Sequence, residues 1–238
     1  MARSDHQVGQ LVKRKTIKIV ATVVAVLVAL ALILPAVYSV FNRAPESLVA
    51  GRFISEATLL ATDLDGTWFI ADGSVVGYRV SEQIGLTKLE GVGRTGEITG
   101  TFLVANGKLN EASFEVDMTT FTSDRSQRDD QFRGRIMETS TFPTSSFVLS
   151  SPVAIPDSTD VASMEPFIVR GNLTLRDATR EVDVQMFAAI DQGRLRLTGS
   201  IEIVFADWGI PNPSLPAAFI FTEDRGTLEF DLLFEPAT

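Results

Sequence analysis

Ile98-Thr99-Gly100-Thr101-Phe102-Leu103-Val104-Ala105-Asn106-Gly107-Lys108-Leu109-Asn110-Glu111-Ala112-Ser113-Phe114-Glu115-Val116-Asp117-Met118 is two alternating runs joined by an Asn-Gly pair. Before the pair, Ile98, Gly100, Phe102 and Val104 alternate with Thr99, Thr101 and Leu103. After it, Ala112, Phe114, Val116 and Met118 alternate with Ser113, Glu115 and Asp117. A period of two puts alternate side chains on one face of a strand, and Asn-Gly readily adopts the positive φ angles of a tight hairpin turn. The stretch predicts an antiparallel hairpin with one apolar face.

The same grammar continues outward. Phe167, Val169, Gly171, Leu173 and Leu175 share a face, as do Val182, Val184, Met186, Ala188 and Ile190. Asp191-Gln192-Gly193 then turns into Leu195, Leu197, Gly199, Ile201, Ile203 and Phe205, and Leu228, Phe230, Leu232 and Phe234 close the domain. Further strands are expected at 66–71, 74–81 and 145–151, about eight in all. Eight antiparallel strands with one apolar face can close into a barrel whose interior is filled by side chains or holds one small ligand. The expected fold class is therefore all-β, an antiparallel barrel with one short helical excursion. That excursion is placed at 123–138, opened by Ser123 as cap, and residues 151–166, rich in Pro, Ser and Asp, read as an exposed loop. Gly100, Gly171 and Gly199 fall among the inward Phe and Leu positions and are expected to leave interior volume, or else to mark bends.

The N-terminal end has a different character. Arg3, Lys13, Arg14, Lys15 and Lys18 face only Asp5 in residues 1–18, whereas the chain beyond residue 44 carries roughly −14. From Ile19 to Phe41 run 23 residues without a charge. As a helix that run is long enough to cross a bilayer, and the basic flank puts the N-terminus in the cytoplasm and the domain outside. The division expected is a cytoplasmic tail at 1–18, a transmembrane helix at 19–41, a linker at 42–65 and the barrel at 66–238. The rival reading is a signal peptide cut after Ser39, which would release the domain.

The composition also excludes chemistry. With no cysteine there is no disulfide, thiolate nucleophile or thiolate metal site, and the single histidine, His6, lies in the basic tail. A Ser-His-Asp triad or a His-rich zinc site cannot be built in the domain. Lys88 and Lys108 are the domain's only lysines and sit by apparent turns, so an enzyme is not expected. Asp124, Asp129 and Asp130 lack calcium-loop spacing and are balanced by Arg125, Arg128, Arg133 and Arg135. Asn172-Leu173-Thr174 matches the glycosylation sequon but lies inside a strand. The acidic domain repels phosphate backbones, which argues against nucleic acid. No metal and no cofactor is expected, and homodimerisation is left open.

In their order, several segments resemble the YceI-like family over roughly residues 66–235. They are Trp68 to Val80 (WFIADGSVVGYRV), Phe121-Thr122-Ser123-Asp124 with Arg128 to Phe132 (RDDQF), and Thr141 to Phe147 (TFPTSSF). The series continues with Val169 to Val182 (VRGNLTLRDATREV) and Asp207-Trp208-Gly209-Ile210. Gly73 stands where the family commonly has His, and Phe205 where it commonly has a basic residue. The resemblance implies a lipocalin-like barrel, usually outside the cytoplasm, whose apolar pore holds an isoprenoid lipid of the quinone or polyprenyl type. Alternation assigns Phe102, Phe114, Val116, Leu173, Met186, Ile203 and Phe230 to the interior. Tyr78, Phe132, Phe147 and Trp208, from the matching segments, complete the expected lining. Trp208 with Pro211, Pro213, Pro216 and Phe219 forms a loop that could cap one mouth. The competing expectation is a solid-cored domain that works through its surface.

Overall fold

The computed structural model describes residues 17–31, 33–34, 37, 44–49, 64–155, 166–191 and 194–237. Strands β4 (Ile98–Ala105) and β5 (Lys108–Asp117) form the expected hairpin. Asn106 and Gly107 take φ of 55° and 68°, as a two-residue primed turn requires. The Asp65 carboxylate accepts both of their N–H groups, at 3.2 and 3.3 Å.

Eight strands close on themselves. They are β1 (Gly66–Ile70), β4, β5, β7 (Thr144–Leu149), β9 (Phe167–Leu175), β10 (Ala178–Asp191), β11 (Arg194–Val204) and β13 (Arg225–Pro236), and β13 pairs back with β1. Every pairing is antiparallel, so the architecture is a closed barrel with no free edge around the ring. Short strands β6 (Thr122–Ser123), β8 (Val153–Ala154) and β12 (Ile220–Thr222) attach to its wall.

Two further strands lengthen the barrel at one end. β2 (Val75–Ile84) pairs β13 over Thr227–Asp231, on the edge that β1 occupies at Phe234–Pro236, so β1 and β2 lie end to end. β3 (Thr87–Thr95) pairs β2 as β4 pairs β1, so β3 and β4 also lie end to end. The joint between β1 and β2 is a turn at Ala71–Ser74 in which Gly73 holds φ of 94°, a conformation that favours glycine over the family's histidine. The buried Ser74 hydroxyl accepts the Leu233 N–H at 3.0 Å and stitches that joint to β13.

The helical excursion is real but begins later than expected. Helix α2 (Ser126–Gln131) continues into a π turn at Phe132–Ile136, while Ser123 belongs to β6 and its hydroxyl lies 2.6 Å from Asp129. The π turn brings Phe132 inward, where it is 7% exposed.

The expected span at 19–41 falls only partly within the described residues. Residues 17–31 are helical and are labelled α1. Among the described residues no helix is long and apolar enough to cross a membrane. Residues 33–34 and 37 are also helical, whereas 32, 35–36 and 38–41 lie outside the described residues, as do the Gln192-Gly193 turn and most of the 151–166 loop.

Of the linker, residues 44–49 are docked on the outside of the barrel. Glu229 points outward from β13 yet is only 4% exposed, because this segment covers it. Arg79 Nε donates to Glu229 at 2.8 Å, Ser47 Oγ donates at 2.8 Å and the Leu48 N–H at 3.2 Å. Arg79 also donates to the Pro45 carbonyl at 2.8 Å, and Arg94 to that of Glu46. Burial pushes the Glu229 carboxyl up, but these hydrogen bonds outweigh it and hold the carboxyl below its ordinary range.

Candidate functional site

The interior changes character along its length. At the β1 end it is filled: Phe234, Val104, Leu195 and Val169 are at most 1% exposed. Phe102 packs there with its ring centroid 4.8 Å from that of Phe234 and 6.0 Å from that of Trp68. Beyond this plug lie two cavities.

The inner cavity, about 140 Å³, is lined by Phe114, Val116, Phe147, Leu173, Met186 and Phe230 among others. The outer cavity, about 100 Å³, is lined by Tyr78, Phe132, Ile136, Ile203, Phe205 and Ile210 among others. Met118, Phe121, Leu175 and Leu228 border both and form a waist. The order is the same along each wall. On β13 one passes from Phe234 in the plug through Leu232 and Phe230 to Gly226; on β11, from Leu195 through Leu197 and Ile201 to Ile203; on β2, from Val76 to Tyr78 and Glu82. The result is a tube closed at the β1 end, with its mouth toward α2 and the β2–β3 extension.

Of the two readings given for the glycines, the one in which they themselves leave empty volume does not hold. A Cβ on Gly100 would stand 2.4 Å from Phe114, one on Gly171 2.2 Å from Phe147, and one on Gly199 2.4 Å from Phe230. Gly93 holds the same relation to Tyr78, at 2.4 Å. Each glycine lets a ring from the neighbouring strand lie flat against the wall. All four of these rings line a cavity, so the glycines keep the bore open by letting the rings recline.

Of the residues expected to line the ligand, Phe114, Val116, Phe147, Leu173, Met186 and Phe230 surround the inner cavity, and Tyr78, Phe132 and Ile203 the outer one. Phe102 and Trp208 border neither. Phe102 is in the plug. Trp208 is 4% exposed in the packing behind the outer cavity, with the Arg180 guanidinium 5.8 Å from its ring. Of the loop proposed as a cap, Pro213 reaches the outer cavity, while Phe219 is 69% exposed.

The waist residues Met118 and Phe121 and the buried Ser145 were not singled out from the sequence. All three fall in segments already read as inward or as family motif, but Ser145 sits in a polar triplet that gives no alternation signal.

Polar groups gather at the mouth. Arg128 pairs with Glu82 at 3.2 Å and with Asp124. Tyr78 stacks on Phe132 with centroids 4.9 Å apart, and burial pushes its hydroxyl well above the ordinary range, partly countered by Arg128. Desolvation lowers the Arg128 pKa, but Glu82 and Asp124 more than offset it, so the guanidinium stays charged. Among the described residues no group of three His, Cys, Asp or Glu side chains is placed to hold a metal ion.

The fold resembles a polyisoprenoid binding domain from Saccharophagus degradans implicated in plant cell wall breakdown, with TM-score 0.57 and 15% identity, covering 72% of this chain and 99% of that one. It also resembles BcnA of Burkholderia cenocepacia, with TM-score 0.53 and 20% identity, covering 69% of this chain and 96% of that one. No curated protein sequence gives a significant match. The model of the YceI-like domain matches residues 69–234, from β1 through β13, and the chain therefore belongs to the YceI-like family.

Proposed function

We propose that the protein binds one apolar isoprenoid lipid, of quinone or polyprenyl type, inside the barrel, without catalysis and for carriage or storage. The observation that carries this reading is the pair of apolar cavities that meet at the waist of Met118, Phe121, Leu175 and Leu228, the inner one lined almost wholly by hydrocarbon. A dry cavity of this size accepts an apolar group in place of water. Each buried CH₂ of a ligand contributes about 0.8 kcal/mol, so a chain threading both cavities needs few polar contacts. Family membership and the likeness to a polyisoprenoid binding domain support the same reading. A solid-cored surface domain would have no use for rings held flat against the wall.

The test is mass spectrometry of lipid extracted from the purified full chain. A stoichiometric isoprenoid is expected. Absence of lipid, together with no uptake of an added prenylated quinone or polyprenol, would refute the reading.

The barrel is held at a membrane, outside the cytoplasm, by the segment around α1. The support is that α1 leaves Ile19, Leu27 and Leu30 exposed, at 64, 60 and 45%, which is surface suited to lipid. Protease added outside intact spheroplasts should digest the barrel, and protection until lysis would overturn this placement.

A further inference from the structure

Ser145 is an anomaly in the inner cavity. It stands on β7 with its side chain on the same face as Phe147, is 6% exposed, and its Oγ has no hydrogen-bond partner. A buried hydroxyl left unpaired is costly, so it needs either a water or a ligand atom. Water is a poor answer, because a buried water needs two to four polar partners. The other polar residues along this cavity are Ser146 and Glu229. Ser146 projects to the opposite face of its strand by alternation, and the Glu229 carboxylate is engaged by Arg79, Ser47 and Leu48 on the outside.

We infer that Ser145 Oγ donates a hydrogen bond to an oxygen of the bound lipid. Because the tube is closed beyond the inner cavity, this oxygen must be on the leading end: the lipid enters oxygen-first, with its hydrocarbon tail trailing through the waist toward the mouth. This rests on the lipid-binding reading above.

The test compares two probes on delipidated full chain: a benzoquinone bearing a short isoprenoid tail, and the hydrocarbon of the same tail. The parent chain should prefer the quinone. Ser145→Ala should weaken the quinone about two- to tenfold, the span of one neutral hydrogen bond, and leave the hydrocarbon unchanged. Folding does not confuse the result, because removing an unpaired hydroxyl should hold or raise the melting temperature of the empty protein. Equal affinity of the parent chain for both probes, or equal loss of both in Ser145→Ala, would overturn the inference while leaving lipid binding intact. If the parent chain bound neither probe, the lipid reading itself would fall, and this one with it.

A separate observation concerns the mouth. Leu86, Phe219 and Phe221 are 82, 69 and 49% exposed and cluster where the β2–β3 tip meets β12. Phe219 is held in the left-handed region at φ of 54°, where a bulky residue is strained, and its carbonyl accepts the Gly85 N–H at 3.1 Å. Ala44, which follows the α1 region in sequence, borders the same end beside Gln83, Lys88 and Phe221.

Resting on the membrane placement proposed above, we propose that this apolar rim sits in the same lipid surface, so that the mouth opens toward the bilayer. The chain has no cysteine, so a single one can carry a fluorophore. In full chain reconstituted into phosphatidylcholine vesicles containing nitroxide-labelled lipid, a label at Phe219→Cys should be quenched. A label at Phe69→Cys, exposed near the plugged end, should not. Quenching at both positions, at neither, or at Phe69 alone would overturn the proposal.

Discussion

Gly93→Ala isolates what the glycine and aromatic pairs do. The new Cβ would stand 2.4, 2.6 and 2.7 Å from Cε1, Cζ and the hydroxyl of Tyr78, which are its three nearest atoms. Ordinary contact begins near 3.4 Å, so the ring must retreat by about 1 Å. Its retreat leads into the outer cavity and against Phe132, on which it stacks at 4.9 Å. Overpacking of this kind costs about 1–3 kcal/mol, so the variant should still fold. If the displaced ring excludes the equivalent of two methylene groups of ligand, binding loses about 1.6 kcal/mol, roughly fifteenfold in Kd. The assay is titration of delipidated parent and variant with the tailed benzoquinone, alongside thermal unfolding of each. Gly134→Ala, where nothing stands within 4 Å of the new Cβ, is the control and should leave Kd unchanged. Tyr78→Leu added to Gly93→Ala should recover affinity by removing the displaced ring. A folded Gly93→Ala protein with unchanged affinity would refute the idea that these glycines keep the bore open.

Val116→Asp puts a carboxylate into the inner cavity, where desolvation should cost several kcal/mol and abolish lipid retention, whereas Glu115→Ala on the outer face should do neither; unfolding and lipid extraction check both. The Glu229 carboxyl, held below its ordinary range, should fix segment 44–49 fully at pH above about 5. Its contribution should be lost as pH falls through the depressed pKa, beneath the ordinary value of about 4.3. Limited proteolysis at 44–49 against pH would show it, and Glu229→Gln should remove that pH dependence.

The hairpin at 98–118 was legible because alternation and Asn106-Gly107 carry their own geometry. β3 was not, because Gly91 and Gly93 interrupt its apolar pattern, and the reason for Gly93 lies on the neighbouring strand beneath Tyr78. The same blindness to neighbours left Gly100, Gly171 and Gly199 read as empty space or as bends, and not as seats for rings on the next strand. Nine of the expected lining residues border a cavity because period-two alternation decides which face a side chain takes. It does not decide depth along the tube, which is why Phe102 proved to belong to the plug. The joining of β1 and β2 end to end depends on the turn at Ala71–Ser74 and its bonds to Leu233, a distant partner that no local pattern announces.

The plug of Phe102, Val104, Leu195 and Phe234 has a kinetic consequence. A vessel with one door cannot be emptied by pushing from behind. An incoming lipid has to wait until the resident has withdrawn past Met118 and Phe121, so the rate of exchange should not rise with the concentration of the newcomer. A protein that binds lipid in this way should hold a single passenger between discrete visits and should not act as a conduit through which lipids stream.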